Sequence, residues 1–345
     1  MAADESFEAK KEYVNFYKNN DTEYYNKGLV FADKAIETFC KYEMNKEEHD
    51  YLVTDMVYCL HRFGFSFEEY FWYRLDLKSF KGRNEFISDK VRYYLYNLLN
   101  YANNHDKFRN KSEAYKIFGE FYKRDLIEVS GEKDFEQFKN FVNLHDRFIV
   151  KPIDGDCGRG TFIINYNDFG SIEDMFNALT IPCVLEELIV QDDELAKFYP
   201  QSVNTVRIPV VKSKTGEKVF IFHPFLRTGR GNAVVDNAGA GGVFSDIDAD
   251  TGLVYTAGID EHGIEYLKHP DTNEVIIGFQ IPKWKEAIDL VERASACTTN
   301  RYIGWDLALT KNGWVIVEAN DGAQFVSQLA DKKGRLREFL ELMNQ

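Results

Sequence analysis

The sequence has no C-x-x-C pair, and its five cysteines (Cys40, Cys59, Cys157, Cys183, Cys297) lie far apart in 345 residues. An odd, scattered set builds no disulfide framework and gathers no thiols for zinc. No run approaches the roughly 18 apolar residues that a membrane-spanning helix needs. Positive charge is also scarce: 42 Lys and Arg stand against 56 Asp and Glu, a net of -14. Binding a phosphate backbone requires a basic face, so a general nucleic-acid binder is excluded. The opening Met1-Ala-Ala-Asp-Glu-Ser6 has neither the basic start nor the apolar stretch of a secretory signal. The expectation is a reduced, cytoplasmic chain with no transmembrane segment. No serine or cysteine stands beside a histidine in a pattern that would mark a nucleophile, which turns attention to other chemistries.

Proline is missing from residues 1 to about 105. In that stretch Leu52, Met56, Leu60 and Phe63 recur at helical spacing, as do Tyr93, Tyr96 and Leu99. A helical N-terminal domain with an aromatic core is predicted over 1–105. Further helices are expected at 111–122, 133–144, 172–179, 283–296 and near 332–343. From Phe148 the texture turns to short β-rich runs at 148–153, 161–165, 183–190, 205–212, 219–222, 242–247, 302–310 and 314–319. Strands with irregular helices and glycine-rich turns between them point to an α+β fold.

Five segments could carry chemistry. In the first, a strand ending in Lys151-Pro152 runs into Gly155, Gly158, Arg159 and Gly160, then into a second strand. Such a turn lets backbone N–H groups approach an anion, with Lys151 as a point charge. The second pairs Gly304-Trp-Asp306 with Glu318-Ala-Asn320 across a turn at Lys311-Asn312-Gly313. Period-2 alternation sets Glu318 and Asn320 on one face, and an adjacent strand about 4.8 Å away brings Asp306 to them. Two carboxylates and an amide oxygen suit magnesium, which also accepts phosphate oxygens. The third is the strand carrying Glu186, Glu187 and Ile189, followed by Glu194, able to present backbone to a base edge and a carboxylate to hydroxyls. In the fourth, Arg207 sits within a β-branched strand, where a cation needs an anionic partner. The fifth runs from His223 to Phe244 and mixes small residues with Arg227, Arg230, Asn232 and Asn237; it reads as a substrate-closing flap.

Together these phrases resemble the ATP-grasp superfamily, and within it the sugar-transfer-associated ATP-grasp family. The matching words are Lys151-Pro with its glycine loop, Asn204-Thr-Val-Arg207, His269-Pro with the Gly278-Phe-Gln-Ile-Pro-Lys-Trp284 stretch, Gly304-Trp-Asp306 and Glu318-Ala-Asn320. The resemblance runs from about residue 110 to near 330 and implies an ATP-grasp fold, two α+β subdomains gripping ATP, preceded by the helical region. The domains would be 1–105 and 106–345, the latter divided into a glycine-loop subdomain of about 106–190 and a metal and substrate subdomain of about 191–345.

The resemblance also implies roles. Lys111, at the head of a helix, and Lys151 would be the nucleotide-phosphate lysines, with Gly155 to Gly160 closing over the phosphates. Glu186 to Ile189 would line adenine, with Glu186 and Glu187 equally placeable, and Glu194 would reach the ribose. Asp306, Glu318 and Asn320 would hold magnesium, commonly two ions, and Arg207 would sit by the γ-phosphate and the acceptor. Ligases of the D-alanine–D-alanine type keep an arginine two residues before the first metal acid. This chain has Gly304 there, so the charge must come from Arg207, Arg227 or Arg230. The implied activity is an ATP- and magnesium-dependent carboxylate–amine ligase acting on small acceptors in cell-surface polysaccharide biosynthesis. A kinase acting on a sugar or polyol hydroxyl, or a nucleotide-binding regulator without turnover, are the alternatives.

Overall fold

The computed structural model describes residues 6–100, 105–154, 160–231 and 241–345. It divides into two compact units. The first comprises residues 1–98, 262–264 and 324–345, and the second residues 99–261 and 265–323. The sequence reading ran the second domain to the C-terminus. The structure instead returns residues 324–345 to the helical unit, where the Gln328 side-chain amide donates to Ile87 O (3.0 Å) and accepts from Ile87 N (2.9 Å).

The helical unit begins with α1 (Phe7–Asn20), α2 (Thr22–Phe39) and α3 (Lys46–Phe63). Helix α3 is sharply delimited. Asn45 and Glu48 cap its start reciprocally, and Gly64 ends it at φ 82°. Its fully buried stripe is Val53, Met56 and Val57, while Leu52, Leu60 and Phe63 are only half-buried. The expected aromatic core is present in Phe65, Tyr70, Tyr73 and Phe86. At its centre Asp55 accepts from Arg83 Nη1 and Nη2 (2.9 and 2.8 Å), Lys10 (2.7 Å) and Tyr70 (2.7 Å). Burial raises the Asp55 pKa, but these partners outweigh it and hold the carboxyl below its usual range.

The second unit holds two antiparallel sheets. The smaller has β1 (Leu126–Val129), β2 (Arg147–Pro152), β3 (Phe162–Asn165) and β4 (Cys183–Glu187) in the order β1-β4-β2-β3. Phe138, Phe148, Val150, Met175 and Leu185 form its core. The larger sheet comprises β5 (Thr205–Lys212), β6 (Val219–Ile221), β7 (Phe225–Thr228), β8 (Val243–Asp246), β9 (Gly258–Ile259), β10 (Glu265–Tyr266), β11 (Tyr302–Thr310) and β12 (Gly313–Asn320). Its order is β10-β9-β8-β7-β5-β11-β12, with β6 beside β5. One face is apolar. There Trp305 meets Phe118 edge-on at 5.0 Å and packs with Trp314 and Val291. Pro209 is tolerated inside β5 because it falls where the partner changes from β7 (Thr205–Arg207) to β6 (Val210–Lys212).

Two readings need correction. The segment from His223 was expected to be an irregular flap, yet Phe225–Thr228 is strand β7, paired on both sides and wholly buried. Its neighbouring glycines and arginines concealed a four-residue strand. The strand expected over 183–190 ends at Glu187. Strand β1 was not anticipated, because only four residues separate the charged Lys123-Arg124-Asp125 from the turn at Ser130.

Candidate functional site

The polar face of the larger sheet is assembled by register. Asp306 on β11 lies opposite Arg207 on β5 and Glu318 on β12, while Gly304 lies opposite Asn320. Thr205, two residues before Arg207, pairs with Arg227 of β7. Directly opposed residues share a face, so Thr205, Arg207, Arg227, Asp306, Glu318 and Asn320 all emerge on one side.

A bulge makes this possible on β12. Trp314 and Ile316 face the core opposite Leu309 and Leu307. Unbroken alternation would put residue 318 on that same core face, opposite Trp305. The register shifts between Asp306 and Leu307, leaving Val317 without a counterpart, and Glu318 turns to Asp306. The three residues that the sequence reading grouped emerge on one face, through an extra residue that it did not anticipate.

Asp306 is 2% exposed and lies among cations. Arg207 donates to both carboxylate oxygens, through Nε and through Nη2 at 2.7 Å. Arg227 Nη2 lies 3.0 Å from Oδ2 and is steadied by Thr205 Oγ1 at 2.8 Å. Asn320 Nδ2 donates to Asp306 Oδ2 (3.3 Å) and Gly304 O (3.4 Å). Burial raises the Asp306 pKa, but Arg207 and Arg227 overcome it and the net shift is downward. Glu318 goes the other way. Burial and then the Asp306 charge raise its pKa, with only partial relief from Lys111, Lys151 and Arg207.

Arg207 also answers the glycine at 304. A Cβ on Gly304 would lie 2.5 Å from Ala323 Cβ and 3.2 Å from Arg207 Cδ, so Ala323 blocks the position and the Arg207 stem crowds it. Of the three arginines considered from sequence, Arg207 and Arg227 stand at Asp306. Arg230 does not; it pairs with Asp260 at 3.1 Å and its guanidinium lies 5.4 Å from the Tyr266 ring centroid. Gly304→Ala should cost about 1–3 kcal/mol of stability by overpacking and push Arg207 off Asp306. Urea unfolding of the variant checks this, and unchanged stability would show that the side chain has room.

The smaller sheet supplies the opposing wall. Lys151 Nζ lies 2.9 Å from Glu186 Oε2, and Arg124 reaches the same oxygen through Nη2 at 2.8 Å. Glu186 is 3% exposed; burial raises its pKa, but Lys151 and Arg124 prevail and hold it at about 2. Lys111 begins the Lys111–Tyr122 helix, whose N-cap is Asn110. Its backbone N–H donates to Ile153 O (3.1 Å), just beyond β2, which ties the helix start to the entry of the glycine turn. Lys111, Lys151, Glu186 and Glu318 line one cleft, with Phe108 and Tyr122 as its apolar wall.

The remaining expectations divide as follows. Alternation along β4 settles the two glutamates: Glu186 points into the cleft, and Glu187 accepts from Asp125 N (3.1 Å) near His145. Ile189 is half-buried beyond the strand end. Glu194 is exposed and pairs with Lys197 at 3.1 Å. Gly160 takes φ 72°, a conformation only glycine adopts readily. Gly155, Gly158, Arg159, Asn232 and Asn237 lie outside the described residues. Arg124 was missed altogether. In sequence it is one charge in a Lys-Arg-Asp triplet, and nothing local distinguishes it.

The donor set at Asp306, Glu318 and Asn320 is entirely oxygen, which fits a hard divalent cation. Glu318, left with excess negative charge, gains most from one; Asp306 already carries two guanidinium groups and would share.

The sugar-transfer associated ATP-grasp family matches residues 91–344. Among solved structures, the chain is similar to N5-carboxyaminoimidazole synthase from Aspergillus clavatus in complex with ADP and 5-aminoimidazole ribonucleotide. Identity is 13%, with 70% of this chain and 54% of that one covered, at a TM-score of 0.43. A second is N5-carboxyaminoimidazole synthetase from Staphylococcus aureus complexed with ADP (13%, 63% and 46%, TM-score 0.40). A third is the ATP-grasp ligase PsnB complexed with minimal precursor, Mg and ADP (15%, 78% and 71%, TM-score 0.42). The chain spans about half the length of the two synthases. No curated protein matches it.

Proposed function

Because the chain belongs to the sugar-transfer-associated ATP-grasp family, we propose that it is an ATP- and magnesium-dependent carboxylate–amine ligase working through an acyl phosphate. The observation that carries this reading is the convergence of Lys111, Lys151, Glu186 and Glu318 on one cleft, with Arg207 and Arg227 gathered at Asp306. Lys111 and Lys151 neutralise the nucleotide phosphates. Glu318, Asn320 and Asp306 would hold magnesium, commonly two ions, and the metal would supply charge neutralisation for the phosphoryl oxygens. Arg207 and Arg227 lie where a transferring phosphoryl group and an acidic acceptor need compensation. A substrate carboxylate oxygen attacks the γ-phosphorus, the bond to the bridging oxygen breaks, and ADP leaves. An amine nitrogen then attacks the acyl carbon, phosphate departs with the bonding pair, and the nitrogen loses a proton. Such a sequence asks the protein for position and charge rather than for a nucleophilic side chain. In this reading the acceptors are a sugar acid or amino acid in surface polysaccharide biosynthesis, handled in the cytoplasm.

The test is phosphate accounting with ATP, Mg²⁺ and panels of carboxylates and amines. A ligase gives ADP plus free phosphate only with both acceptors present, and hydroxylamine traps the acyl phosphate as a hydroxamate. Phosphate retained on a hydroxyl product would instead establish a kinase. Tight ATP binding without ADP from any acceptor would establish a non-catalytic binder.

A further inference from the structure

Arg124 is 7% exposed, and all five of its N–H donors are committed within the protein. Nε and Nη2 donate to Glu186 Oε2 (3.2 and 2.8 Å). Nη1 donates to Tyr122 O (3.4 Å) and Ile316 O (2.6 Å), and Nη2 also to Val317 O (3.1 Å). A guanidinium so occupied has no donor left for a ligand. Its partners, however, are the carboxylate that holds Lys151 and the two carbonyls just before Glu318.

The two carbonyls are consecutive. In a regular strand successive C=O groups point to opposite edges, so one planar cation cannot receive both. Here they meet Arg124 together because Val317 is the bulged residue, the one that turns Glu318 from the face of Trp305 to that of Asp306. Among the described residues strand β12 lies at the edge of its sheet, with no further strand there to fix this irregularity. We infer that Arg124 is a positioning residue that pins the β12 bulge and so aims Glu318 at Asp306 while holding the Glu186–Lys151 pair beside it. This rests on the nucleotide reading of the cleft proposed above. In that reading Arg124 couples the phosphate lysine to the metal acid without touching either ligand.

The experiment measures ADP affinity of the full chain by calorimetry, with and without Mg²⁺, for wild type, Arg124→Lys and Arg124→Gln, with thermal melts run alongside. Lysine keeps a cation against Glu186 but cannot serve two carbonyls as well. The expected result is that Arg124→Lys binds ADP within about twofold of wild type without Mg²⁺, while the tightening produced by Mg²⁺ falls about tenfold or more. Arg124→Gln should lose that tightening too and also bind free ADP more weakly. A general loss of packing would lower both affinities together and leave the Mg²⁺ ratio intact. Folded variants with an undiminished Mg²⁺ ratio overturn the role of Arg124 alone. So does failure of both variants to fold, since Arg124 would then hold the fold rather than one bulge. Wild-type protein that binds no ADP overturns the nucleotide reading and this inference with it.

Discussion

Glu318→Gln should cut ATP turnover by about 10²–10³-fold, the usual effect of deleting one strong electrostatic element from an active site, while making the unliganded protein more resistant to heat at neutral pH. The two effects share one cause. Burial and the neighbouring Asp306 raise the Glu318 pKa, so folding makes its ionisation costlier than in the unfolded chain. The sign follows from linkage. A carboxyl whose folded pKa is raised costs nothing at low pH and destabilises as pH rises through its usual range. Glutamine cannot ionise and removes that cost. The melting temperature of the variant should therefore exceed that of wild type at pH 7–8, and the gap should close toward pH 4. In the magnesium role proposed for Glu318, wild-type turnover should fall as pH drops, because a protonated carboxyl cannot serve as a ligand. Melts from pH 4 to 8 together with ADP release measure both. A variant that melts lower than wild type at pH 7.5, or that keeps its turnover, would remove Glu318 from the site.

Much of this arrangement was legible in the amino-acid order, because strand periodicity is a short-range code. Asp306, Glu318 and Asn320 could be grouped from two apolar strands and a glycine turn, and Lys151 from a strand entering a glycine loop. Arg207 declared itself as a cation in a β-branched run that needed an anion. What escaped was set by partners distant in sequence. Arg124 acquires its role only when residues about 60 and 190 positions away fold onto it. The bulge at Val317 has no local marker, since valine suits a regular strand as well as an irregular one. Arg227 and Arg230 looked equivalent in one glycine-rich stretch, yet strand β7 carries Arg227 to Asp306 while Arg230, beyond its end, pairs with Asp260. Glu186 was read as a neighbour of the base; that its side chain is the shared anion of Lys151 and Arg124 was not read from sequence.

That shared anion sets the second large expectation. Glu186→Gln leaves Arg124 and Lys151 facing a neutral amide inside the protein, and removing one partner from a buried ionic cluster costs about 3–5 kcal/mol. Its pH signature is opposite to that of Glu318. The Glu186 pKa is held at about 2 against a usual 4.5. A depressed carboxyl contributes stability that is fully present above its unfolded pKa and disappears as pH falls toward the folded one. Wild type should therefore lose part of its stability between about pH 4.5 and 2 that the variant never had, and the two urea-unfolding curves should converge in acid. Lys151, released from its partner, should also hold nucleotide phosphates less precisely, so ADP affinity should drop even where the variant is fully folded. Parallel unfolding curves with a constant offset down to pH 2 would mean that folding leaves the Glu186 pKa unshifted, so that its carboxylate gains nothing from Lys151 and Arg124. In that case the two cations beside it would need another explanation for sharing a buried site.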